Sequence, residues 1–462
     1  MQMKIARPDT HEQGHPVRDP DARMRHGDTA MQHEPDSPPL ARADTGPDAA
    51  ADHAADAPAE GSADRAPLPF GEFVTLIAAL MALTALGIDS MLPALPAIGD
   101  SLGVAEPNTR QFVITAFLLG FSIAQLAYGP LADRFGRRPV LIFALVASAI
   151  TNLVAAISGS FVLLLIARAA SGAAVAGARV VTVALVRDCY SGRAMARVMS
   201  LAFIFFMAAP VLAPSFGELV LAFGSWRWIF GGIAIVTVAI LAWFVARMPE
   251  TLHETDRQTL DPRRIVQGYG VVLRDRYAVG YTLAAALLSG GLFGFVGSIQ
   301  QIMDVTFGRP KLLTIVFACV AGTMAAGSFF NSRIVMRFGT RLISHAALLG
   351  LIAVAALHLA ITLAGLESLV SFIILQALMM ACFGLATSNF SAMAMENMGA
   401  IAGTASSLQG FVSMLGGAVL GALIGQSFDG TTVPLYGGFL ALGLIALLIV
   451  FRTEHGRLFR RG

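Results

Sequence analysis

Charge is scarce in this sequence. Of its 462 residues, 32 are Lys or Arg and 30 are Asp or Glu, so charged residues make up 13% of the chain against 56% apolar residues. That balance excludes a soluble globular protein and points to a polytopic membrane protein. Lysine is nearly missing: the two present, Lys4 and Lys311, stand outside any Gly-Lys-Ser/Thr context, which argues against a phosphate-cradling loop and ATP-driven work. The three cysteines, Cys189, Cys319 and Cys382, fall in or beside apolar segments without metal-ligand spacing. Neither a disulfide framework nor a zinc site follows from them. No His pair shares a helix face and no Gly-x-Ser-x-Gly turn occurs, so hydrolytic chemistry has no visible apparatus. Neither an enzyme nor a cofactor is expected.

What is present divides the chain. Residues 1–69 carry 10 of the 21 prolines, with 7 Lys or Arg against 13 Asp or Glu, and read as a disordered acidic tail. The tail has no apolar run fit for a signal peptide and is expected to stay in the cytoplasm. Five of the nine His residues, His11, His15, His26, His33 and His53, lie in it without regular spacing, which favours incidental composition over metal binding.

From Phe73 onward twelve apolar segments follow, separated by short loops. Each is long enough to cross a hydrocarbon core of about 30 Å as a helix. A polar stretch interrupts them, giving a six-helix half over 70–248, a cytoplasmic linker over 249–276, a second six-helix half over 277–451 and a basic tail over 452–462. Loops on the linker side hold nineteen Lys or Arg and the opposite loops four, namely Arg110, Arg227, Arg309 and Lys311. The positive-inside rule then puts both termini and the linker in the cytoplasm.

The densest charge cluster lies between the second and third segments, in Gly129-Pro130-Leu131-Ala132-Asp133-Arg134-Phe135-Gly136-Arg137-Arg138-Pro139. It reads as a tight turn at a membrane face, since an Asp and three Arg must meet water or pair with helix ends. A fainter copy, Arg337-Phe338-Gly339-Thr340-Arg341, follows the eighth segment, with Met336 in place of the Asp. The first string resembles the loop between helices 2 and 3 of the major facilitator superfamily, Gly-x-Leu-Ala-Asp-Arg-x-Gly-Arg-Arg, at every specified position. The resemblance implies twelve transmembrane helices in two halves, all α, with a gate built from Gly129, Asp133, Arg134, Gly136, Arg137 and Arg138. In it Asp133 would latch against the start of another helix. A parallel repeat also implies a site at the midplane, opened alternately to either side.

Ionisable groups inside membrane segments are costly, and each is a functional candidate. Asp89 lies in the first segment before Pro93 and Pro96, which loosen the helix. A carboxyl there can take up a proton where it is shielded and release it where the cavity opens. In the fourth segment Arg168 falls where drug–proton antiporters of the superfamily carry Arg-x-x-Gln-Gly, a motif tied to proton coupling; here Ser171 replaces the Gln. Arg179 lies nearer the cytoplasmic end, where it can snorkel to the interface, and ranks second. Glu218 follows Pro210 and Pro214 in the fifth segment, a loose match to the Gly-Pro-rich motif of antiporters. Gln125, Asn152 and Asn389 would face substrate or hydrogen-bond between helices.

The eleventh segment, with Gly403, Ser406, Ser407, Gly410, Gly416, Gly417, Gly421 and Gly425, reads as a close-packed, moving helix contact. With Ile88 to Pro96, Trp226 to Phe230, Pro249 to Leu252 and Asn331 to Arg333, it resembles the Bcr/CflA branch of multidrug efflux proteins. The resemblance implies a bacterial inner-membrane antiporter exporting small, mostly apolar compounds such as chloramphenicol or bicyclomycin against protons; separately, a monomer is expected. The expected partners are that substrate, protons and the bilayer, with no nucleic acid. An exporter or symporter of a sugar or amino acid shares the same fold, and a non-transporting receptor would need no buried acid.

Overall fold

The computed structural model describes residues 67–190, 192–257, 262–398 and 401–459. The disordered tail and its His residues, expected over 1–69, thus lie outside the described residues except for 67–69, as do Arg460 and Arg461 of the basic tail. Twelve long helices carry the described chain. They are α1 Phe70–Asp89, α2 Phe112–Phe135, α3 Arg137–Ala156, α4 Phe161–Cys189, α5 Gly192–Phe223 and α6 Arg227–Arg247, then α7 Arg276–Gln301, α8 Leu313–Phe338, α9 Thr340–Leu363, α10 Leu369–Ala394, α11 Ala402–Gln426 and α12 Val433–Thr453. Among the described residues eleven stretches are long and apolar enough to span a membrane; in α5 the described apolar part is the shorter Leu212–Phe223. Helices are the solution because lipid offers no partner to a backbone N–H or C=O.

Local chemistry sets the helix ends. Ser160 accepts a hydrogen bond from the Leu163 amide at the start of α4, Ser368 and Ser371 form a capping box at α10, and Asp275 accepts from Ala278 at α7. The loops expected at the two charge clusters shrink to single residues, Gly136 at φ 99° and Gly339 at φ 81°. Helix α2 therefore continues through Asp133 and Arg134 to Phe135, whereas the sequence suggested a turn beginning at Gly129. The charges past the apolar window are matched, since Asp133 in the last turn of α2 pairs with Arg137, the first residue of α3, across the break. The linker contains a helix, Pro262–Arg274.

The packing repeats after six helices. In the first half α4 packs on α2 and α3, α3 on α6, and α1 on α5; in the second α10 packs on α8 and α9, α9 on α12, and α7 on α11. Between the halves α2 packs on α11 and α5 on α8. Contact between α2 and α4 is close enough that a Cβ at Gly120 or Gly172 would overlap the carbonyl of Ala169 or Phe117, so only glycine fits at these crossings.

Candidate functional site

A cavity of about 550 Å³ lies between the halves, lined by α1, α4, α7, α8, α10 and α11, within the range of small-molecule pockets. Its wall is largely apolar, built from Phe, Met, Val, Leu, Ile and Ala, with Asp89, Arg179 and Gln409 as its larger polar groups and Thr84, Ser289, Ser391, Ser406 and Ser413 as its hydroxyls. Asp89 is the last residue of α1, after which the chain turns through Leu92–Ala94 and re-enters a helix at Leu95–Leu102. Pro93 and Pro96 start those two turns, so the helix break that exposes Asp89 to the cavity is written in the prolines. The Asp89 side chain is buried, and no described residue donates a hydrogen bond to it or pairs with it.

Arg168 sits behind this wall. It is wholly buried, donating from Nε to the Val113 carbonyl at 3.1 Å and from Nη2 to the Gly87 carbonyl at 2.6 Å, two residues before Asp89. Its guanidinium lies 4.5 Å from the Phe117 ring centroid and 5.7 Å from that of Phe230, and Nη1 has no hydrogen-bond partner. Ser171, in place of the expected Gln, accepts a hydrogen bond from Asn152 at 3.1 Å and ties α3 to α4. Gln125 is buried where α2 meets α11, its Oε1 beside Gly410 and its Nε2 without a partner. Asn389 pairs with Asn331 at 2.8 Å and joins α10 to α8 outside the cavity. Glu218 is half-buried and is not part of the lining; the Pro210 side chain lies outside the described residues.

Arg179 differs from its sequence reading. It faces the cavity, 5.9 Å from the Phe121 ring centroid, rather than snorkelling to an interface. The reason is length: α4 continues to Cys189, so Arg179 lies about 15 Å, ten residues of helical rise, from its end. Sequence reasoning also missed Gln409 and Ser413. With Ser406 they recur at i, i+3 and i+7, the spacing of one helix face, on a segment that drew attention for close packing of its small residues.

The end of the bundle away from the linker is closed by amides. Asn108 donates to the carbonyls of Gln426 and Phe428, both at 3.0 Å, and Gln426 donates back to the Asn108 carbonyl at 2.7 Å. Gln111 donates to the Gly425 carbonyl at 3.1 Å and to Gln301, and Gln301 donates to the Asn108 side chain at 2.9 Å. Every one of these bonds crosses from the first half to the second. No sequence pattern pairs residues 190 or more apart, although each amide does sit at a segment end.

The linker end is organised within each half. In the first, Arg137 bridges Asp133 and Asp188, while Glu250 accepts from the amides of Arg137 and Arg138 at 2.9 and 3.1 Å. Glu250 therefore caps the backbone at the start of α3, and Asp133 meets the same helix start through the Arg137 side chain. A Cβ at Gly136 would collide with the same carboxylate. Arg138 caps the end of α6 through the carbonyls of Val245 and Met248, Arg134 lies over its neighbour Phe135, and Gly129 has open space around it. In the second half Arg341 bridges Glu396 and Glu454, each at 2.9 Å. Burial opposes the charge of Glu454, yet hydrogen bonds from Tyr281 and Arg341 hold its carboxyl below the ordinary range. The cavity reaches this end, since Ser406 is about 6 Å of helical rise from the start of α11 and Ser391 about 5 Å from the end of α10. Its two ends thus differ: one is bolted across the halves, the other is not held by these ion pairs.

Two six-helix repeats around a central cavity define a secondary transporter fold. The family profile of the Major Facilitator Superfamily matches residues 77–422, and the chain belongs to that superfamily. It is 29% identical to the bicyclomycin resistance protein homolog of Haemophilus influenzae, over 84% of this chain and 98% of that protein. It is also 29% identical to a chloramphenicol resistance protein of Pseudomonas aeruginosa, over 65% of this chain and 71% of the other. Among solved structures, a partially occluded inward-open form of the xylose transporter XylE of E. coli superposes with a TM-score of 0.66 at 13% identity, covering 83% of this chain and 99% of that one. This chain is a multi-pass membrane transporter of the drug-efflux type, not an enzyme.

Proposed function

We propose that the protein is a bacterial inner-membrane antiporter that exports small, mostly apolar compounds, of the chloramphenicol or bicyclomycin kind, in exchange for protons. The observation that carries this reading is Asp89, a buried, unpartnered carboxyl in the wall of an otherwise largely apolar cavity between the halves. The names of the relatives support the substrate class, and the excess of Arg at the linker end supports a cytoplasmic linker and termini. The amide network then closes the periplasmic side while the cavity reaches the cytoplasmic side. In this state substrate loads and the Asp89 proton leaves. Arg168, bonded next to Asp89, biases that carboxyl electrostatically, and competition between proton and substrate couples the two fluxes by linkage. Breaking the amide network would open the other side. The ion pairs around Asp133 and Arg137 then meet the opposing half and shut the cytoplasmic one.

The test is proton movement in inside-out vesicles with an acidified lumen. Chloramphenicol or bicyclomycin should raise lumenal pH in a protein-dependent manner. A response to sugars or amino acids alone would overturn the substrate class, and no response to any compound would overturn antiport.

A further inference from the structure

Among the described residues Asp89 and Arg179 are the two ionisable side chains that line the cavity. Arg168 adds a third charge just behind the wall, its Nη2 on the Gly87 carbonyl. The local sum is one carboxylate against two guanidiniums. It is positive when Asp89 is ionised and more positive when Asp89 carries its proton. Arg179 is exposed within the protein, its neighbour being the Phe121 ring, and no described carboxylate pairs with it. The remaining polar wall is rich in donors: the Gln409 Nε2 and Thr84 hydroxyl are buried without a hydrogen-bond partner, with Ser406 and Ser413 on the same face of α11 as Gln409.

We propose that Arg179 is a charge filter that excludes lipophilic cations and selects uncharged compounds with an apolar body and an acceptor-rich end. A nitro, carbonyl or amide oxygen would satisfy the guanidinium and the Gln409 amide, while the apolar body rests on Phe293, Phe317 and Met324. A fixed cation would meet uncompensated positive charge in either protonation state of Asp89. An anion is electrostatically welcome, but it would bind better when Asp89 is protonated, so proton and anion would travel together rather than exchange. The restriction to uncharged compounds therefore rests on the antiport reading; the exclusion of cations does not.

Ethidium fluorescence with the purified protein tests the filter, and chloramphenicol binding measured beside it tests the substrate reading. Arg179→Gln should bind ethidium about tenfold more tightly than the wild type, the change expected when one unit charge about 10 Å away is removed in a medium of effective dielectric about 20. Arg179→Lys, which keeps the charge, should match the wild type. Gln409→Glu neutralises the site without touching Arg179, should also admit ethidium, and serves if Arg179→Gln does not fold. Unchanged ethidium affinity in both neutralised variants, or a wild type that already binds as tightly as they do, overturns the filter even where chloramphenicol still drives proton movement. Gain of ethidium binding in a protein whose wild type ignores chloramphenicol upholds the filter and removes the substrate reading instead.

Discussion

Gln111→Ala should shift the protein toward the state open at the amide end. Gln111 makes two of the bonds that cross the halves there, to the Gly425 carbonyl and to Gln301, and is itself buried. In the open state water satisfies the same groups, so the substitution acts mainly on the closed state. At about 0.5–1.5 kcal/mol net for each bond, the closed state loses about 1–3 kcal/mol, a shift of roughly 5- to 150-fold in the ratio of states. Starting from an open population of about 1%, a change of about 2 kcal/mol raises it to about a quarter. Spin labels at Glu106 and Ser427, which are exposed on the two sides of the network, report the separation by pulsed dipolar spectroscopy. Cys319 is exposed and Cys382 half-buried, so both are replaced by Ser beforehand, whereas Cys189 is buried. The wild type should give one short distance and Gln111→Ala a second, longer one. A single unchanged distance would refute the assignment of these amides as the gate.

Asp89→Asn should abolish proton-coupled export while leaving membrane insertion and energy-independent substrate exchange; undiminished export against a gradient would remove Asp89 from the mechanism. Gly136→Ala forces φ 99° on a residue with a Cβ and drives that Cβ into Glu250, so it should lower stability by about 1–3 kcal/mol, seen as a lower melting temperature in detergent. Glu454, held below the ordinary carboxyl range, contributes stability that is fully present above the free Glu value of about 4.3 and is lost as pH falls through its folded value. The wild-type melting temperature should therefore drop on acidification below that point, and Glu454→Gln should be less stable at neutral pH with a shallower acid drop; identical pH profiles would contradict the role given to Glu454.

Helices and halves were legible in the sequence because lipid demands long apolar runs and loops collect Arg, signals that do not depend on distant contacts. Asp89 was legible for the same reason, as a charge where charge is costly, with two prolines beside it. The string from Gly129 to Pro139 gave the location of a charged cluster but not its wiring. Glu250 and Asp188 complete it from 113 and 51 residues away, and nothing local to Asp133 announces them. The same blindness hid the partners of the second copy. Met336 replaces the acid of the first, and the carboxylates that Arg341 uses come from Glu396 and Glu454, after α10 and α12, as Asp188 and Glu250 come late in α4 and after α6. The repeat is kept in space while its sequence echo fades. Asn389 went the other way, a polar residue in a span whose partner Asn331 makes it a helix tie rather than a contact for cargo.

The distribution of strong and weak bonds explains how such a molecule can move without coming apart. Charge-assisted pairs, Arg137 with Asp133 and Asp188 and Arg341 with Glu396 and Glu454, lie within a half and hold its helices as one body. The bonds between halves at the closed end are neutral amides, six in number. At about 0.5–1.5 kcal/mol each they sum to about 3–9 kcal/mol, and water can replace them as they part. An Arg–carboxylate bolt at the same place would leave charges to be rehydrated at each cycle and would respond to ionic strength at that end. Neutral amides avoid both, so the equilibrium between the two states stays within reach of what a small ligand in the cavity, and the proton proposed for Asp89, can supply by differential binding.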